Sequence, residues 1–73
     1  MSARIIDLTK PDDDGTLYAS VEEAEQALAS MVAKFSSLGY IITEQKLPDA
    51  DYPQYKVIDH NDAWLGTYTI VLV

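Results

Sequence analysis

Seventy-three residues make one domain, 1–73, with one core, because a chain this short buries only roughly 60% of the surface its unfolded form exposes. Twelve Asp and Glu against five Lys and Arg leave a net charge of −7, which repels nucleic acid, anionic lipid and acidic substrates and suits a partner with a basic surface. Cysteine is absent, which excludes a disulfide framework and thiolate metal sites, so apolar packing has to carry the fold.

The opening Met1-Ser2-Ala3-Arg4-Ile5-Ile6-Asp7 has no apolar leader pattern, and no run in the chain approaches the roughly 18 apolar residues that cross a bilayer. The expected setting is therefore soluble and cytoplasmic, with no membrane contact. Arg4 to Thr9 is rich in β-branched residues and stops before Lys10-Pro11, where proline removes a donor, so it reads as a first strand. Asp12-Asp13-Asp14-Gly15 is a turn by composition, and Thr16-Leu17-Tyr18 adds a short extended segment.

Ser20 through Leu38 carries the strongest local pattern. Val21, Ala24, Leu28, Met31, Phe35 and Leu38 recur at steps of three and four and so line one face of an amphipathic helix. Ser20 and Glu23 have capping-box spacing, Glu22, Glu23 and Glu25 sit at the positive end of the helix dipole, and Gly39 supplies the stop.

Three strand-like runs follow, Tyr40 to Leu47, Gln54 to His60 and Trp64 to Val73, with Pro48 to Pro53 too proline-rich to continue a strand. If Asn61-Asp62 is a two-residue hairpin loop, Ile58 faces Leu65, Tyr55 faces Tyr68 and Gly66 lies opposite Val57, where it relieves crowding beside Trp64 and Tyr68. The expected fold is a two-layer α+β sandwich in the order β-α-β-β-β, one helix on an antiparallel sheet of three or four strands.

Alternation then sorts the side chains. One face collects Tyr55, Val57, Trp64, Tyr68, Ile70 and Leu72 and is expected to lie under the helix. The other collects Ile58, Leu65, Val71 and Val73 among Lys56, His60, Thr67 and Thr69, too apolar for a face that meets only water. One helix cannot cover both faces, so this second face is a candidate interface, for a foreign protein or for a second copy in a homodimer.

Reactive groups are few. His60 in Asp59-His60-Asn61-Asp62 is the lone histidine and the one candidate for a small enzyme or metal site, although a polar hairpin turn accounts for the same four residues. Asp12-Asp13-Asp14-Gly15 shares oxygen ligands and a glycine with calcium loops, yet Val21 stands where the bidentate glutamate belongs. No nucleophile elbow, phosphate loop or dinucleotide fingerprint is present, so no catalytic residue, cofactor or metal is assigned.

What remains is binding. The candidate contacts are an acidic surface of Asp12, Asp13, Asp14, Glu22, Glu23 and Glu25, and the sheet face of Ile58, Leu65, Val71 and Val73. In size and charge the chain resembles the small phage-borne inhibitors of nucleic-acid-handling defence complexes, among them anti-CRISPR proteins and DNA mimics. That resemblance implies carboxylates docking in a groove built for phosphates, with no direct contact to nucleic acid.

Overall fold

The structure, a computed structural model, describes residues 1–10, 12 and 14–73. Its elements are β1 (Ala3–Asp7), β2 (Thr16–Tyr18), α1 (Val21–Ser37), β3 (Ile41–Gln45), β4 (Gln54–Ile58) and β5 (Trp64–Leu72). The fold is α+β as expected, but the sheet has five strands rather than three or four, all antiparallel, in the order β2-β1-β5-β4-β3. The additional strand is Thr16-Leu17-Tyr18, which folds back on β1 with Ala3 opposite Tyr18. β5 is central because its nine residues are long enough to pair with β1 on one side and β4 on the other.

The helix has the ends its sequence specifies. Ser20 takes an extended conformation and its hydroxyl accepts from the Glu23 N–H at 3.2 Å. At the other end Gly39 adopts φ +83°, its N–H donates to the Ser36 carbonyl, and the Tyr40 N–H reaches back to Phe35. This is the Schellman pattern, and its accompanying apolar contact is the Phe35–Tyr40 stack at 5.9 Å. A Cβ on Gly39 would lie 2.8 Å from His60 Cε1. Gly39→Ala is therefore expected to cost about 1–2 kcal/mol from the left-handed backbone, more with the crowding. Thermal unfolding of this variant with and without His60→Ala separates the two contributions, and the second substitution should recover the steric part.

The core forms between α1 and one sheet face: Ala3, Ile5, Ala24, Leu28 and Ile70 are buried together, with Val21, Met31, Tyr18, Tyr55 and Tyr68 packed around them. Leu38, expected on the buried stripe, caps the helix instead and is exposed, because the chain turns away there. Phe35 stacks on Tyr68 at 6.0 Å, and Tyr40 meets His60 edge-on at 5.3 Å, so an aromatic row closes the C-terminal end of the sandwich.

One carboxylate is not surface charge: Asp7 is buried at the end of β1. Its Oδ1 accepts from the Thr9 hydroxyl at 2.6 Å, the Thr9 N–H at 2.9 Å and the Thr67 N–H at 3.2 Å. Burial alone would raise its pKa, but these hydrogen bonds and nearby Lys10 outweigh burial and hold the carboxyl below the ordinary aspartate value.

Candidate functional site

The β4–β5 hairpin decides what the outer sheet face presents. Its turn is longer than the expected two-residue loop: the Asp59 N–H donates to the Ala63 carbonyl, and Asp62 takes φ +62°. The Asp59 carboxylate accepts from the Asn61 and Ala63 N–H groups at 2.8 and 2.9 Å, so it serves the backbone and not the imidazole. A three-residue loop closed by a left-handed residue commonly leads into a bulge. Here Tyr55↔Tyr68 and Val57↔Gly66 pair as expected, but Ile58 pairs with Trp64, leaving Leu65 as the extra residue.

That single extra residue inverts the side taken by Trp64. Alternation assigned it to the helix side, whereas it lies on the outer face, its Nε1–H donating to Thr67 Oγ1 at 2.9 Å and its ring 4.9 Å from Lys56 Nζ. His60 is corrected the other way, since it packs against Tyr40 rather than joining the outer face. Val71 is on the outer face opposite Arg4, and Lys56 sits between Thr43 and Thr67. Ile58 pairs with Ile41 on the edge strand, and Val73 continues past β5 as an exposed residue whose N–H donates to the Ser2 carbonyl.

Charge on the strands themselves is segregated between the two faces, while Asp51 of the β3–β4 linker lines a hollow beside Ile6, Thr69 and Val71. The strand carboxylates, Asp7 and Glu44, share the helix side with Tyr68 and Tyr55, and the strand cations, Arg4 and Lys56, are both outward. Apolar area is exposed on that outward face, with Ile41 and Trp64 each 58% accessible. Leu8, Thr43, Gln45, Gln54, Lys56, Trp64 and Thr67 line an open hollow of about 290 Å³ there.

A second concavity, about 590 Å³, runs on the other side between α1 and the Tyr52-Pro53 linker. Its polar wall is engaged: burial first, then the Glu44 charge and a hydrogen bond to that carboxylate, push the Tyr55 hydroxyl above the usual phenol range. Burial and the Asp7 charge raise Tyr68 in the same way.

Of the acidic candidates, Asp12, Asp14, Glu22, Glu23 and Glu25 are exposed, and Asp13 lies outside the described residues. Among the described residues no three His, Cys, Asp or Glu side chains converge on a metal position, and no helix is long and apolar enough to cross a membrane. Among the described residues these features define a class: a one-helix, five-stranded antiparallel α+β domain with a cation-bearing sheet face on the side away from the helix. Comparison with protein-family models, curated proteins and solved structures gives no match.

Proposed function

We propose that this chain is a non-enzymatic protein-binding module of the cytoplasm whose outer sheet face is its contact surface. One observation supports the reading above others: in a chain of net charge −7, the strands turn Trp64, Ile41 and Val71 outward with two cations and no carboxylate. Solvent alone selects no such exclusion, whereas an interface core is depleted in acidic side chains and enriched in Trp and Arg. Self-association through the same face would gather Arg4 and Lys56 of both copies in one interface with no strand carboxylate to pair them, which disfavours the homodimer alternative.

The second reading keeps the phage-type inhibitor, acting as a DNA mimic through its acidic edge. The exposure of Asp12, Asp14, Glu22, Glu23 and Glu25 supports it. Affinity capture from the source cells distinguishes the two. Ile41→Asp with Val71→Asp is expected to lose the partner, while Glu22→Gln, Glu23→Gln and Glu25→Gln together retain it. The opposite pattern transfers the contact to the acidic edge, where binding should weaken steeply with salt.

A further inference from the structure

The hollow around Trp64 has a composition that specifies more than an apolar contact. Its groups come from four places in the fold: Leu8 just after β1, Thr43 and Gln45 on β3, Gln54 and Lys56 on β4, and Trp64 and Thr67 on β5. Trp64 spends its indole N–H on Thr67 Oγ1, which leaves the Thr67 hydroxyl proton free to be donated elsewhere. Lys56 touches the indole and forms no ion pair among the described residues. Two hydroxyls, two carboxamides and one ammonium surround an indole and a leucine, with no carboxylate among them.

Such a set offers hydrogen-bond donors and one uncompensated positive charge beside a flat apolar wall. A carboxylate is the complement of the first, and an aliphatic or aromatic side chain of the second. Polyanions fit poorly, because the eleven described carboxylates elsewhere on the chain repel extended phosphate backbones, while a single carboxylate is admitted by local contact. Resting on the outer-face reading, we infer that this hollow recognises an acidic peptide segment of the partner, one carboxylate meeting Lys56 while a neighbouring apolar side chain lies against Trp64.

The test is an NMR titration of the ¹⁵N-labelled protein with the capped peptide acetyl-Ser-Leu-Glu-Leu-Ser-amide, which carries one carboxylate, and its Gln-for-Glu counterpart. Saturable shifts of the Trp64 indole N–H and of the Lys56 and Thr67 amides are expected, with the neutral peptide at least about tenfold weaker, as loss of a charge-assisted contact requires. Lys56→Met should abolish the preference between the peptides, and Trp64→Ala should weaken both. Trp64 is largely solvent-exposed, so retained amide dispersion will show that this variant folds.

Absent shifts at these positions, or equal affinity for the two peptides, overturns the inference. If the peptides fail while the outer-face substitutions still abolish partner capture, the acidic-segment inference falls and the binding-face reading stands. Concentration-dependent dimers that dissociate in Trp64→Ala would assign the hollow to a second copy and also overturn it.

Discussion

Gly66→Ala is expected to destabilise the protein by about 1–3 kcal/mol, the range for overpacking a filled core. The sign is informative, because alanine in a strand interior normally gains roughly 0.5–1 kcal/mol over glycine through a smaller loss of backbone entropy. Here the gain is outweighed. An added Cβ would lie 2.8 Å from Asp7 Oδ2, 2.8 Å from the Tyr68 hydroxyl and 2.9 Å from Tyr68 Cζ. Asp7 is fixed by the hydrogen bonds to its other oxygen, and moving Tyr68 disturbs its stack on Phe35. Denaturant titration should show a lower midpoint with an unchanged slope; a midpoint at or above wild type would mean the sheet relaxes freely at this point.

Asp7→Ala should cost more, about 2–4 kcal/mol, because it removes an ionised acceptor from three donors and leaves the buried Thr67 N–H without its partner. Asp7→Asn keeps an acceptor and should cost less. Acidity supplies the second readout. Since the folded-state pKa is lowered, the contribution is fully present above the ordinary aspartate value of about 3.9 and disappears as pH falls through the lower folded value. The stability difference between wild type and Asp7→Asn should accordingly shrink on acidification across that window. A difference that stays constant with pH would show that charge at Asp7 contributes nothing.

Much of the architecture could be read from local pattern. The three-and-four spacing from Val21 to Phe35 gave the helix, and Ser20 and Gly39 placed its ends within a residue. The Tyr55–Tyr68 and Val57–Gly66 pairings followed from counting back from the turn, although the turn itself was read as one residue too short. One signal for the longer loop was present, since Asn61-Asp62 lacks the glycine that a two-residue turn favours and Asp62 tolerates a left-handed backbone. Gly66 was correctly set opposite Val57, but the groups that crowd it are Asp7 and Tyr68; Trp64 lies across the sheet.

The candidate site was half legible. Ile58 and Val71 emerged from alternation, whereas Trp64 and the hollow around it did not, because a bulge changes the parity of every residue beyond it.

By itself the sequence determined the fold class, the capped helix, the acid surplus and the existence of a sheet face that one helix could not cover. Each of these follows from spacing within a few residues or from composition, and neither depends on distant neighbours. Tertiary structure alone decided that β1 sits between β2 and β5, that Trp64 points outward beside Lys56, and that Asp7 is a buried acceptor rather than surface charge. The reason is common to all three: side and burial are set by the partner strand, and the N–H that helps fix Asp7 belongs to a residue 60 positions away.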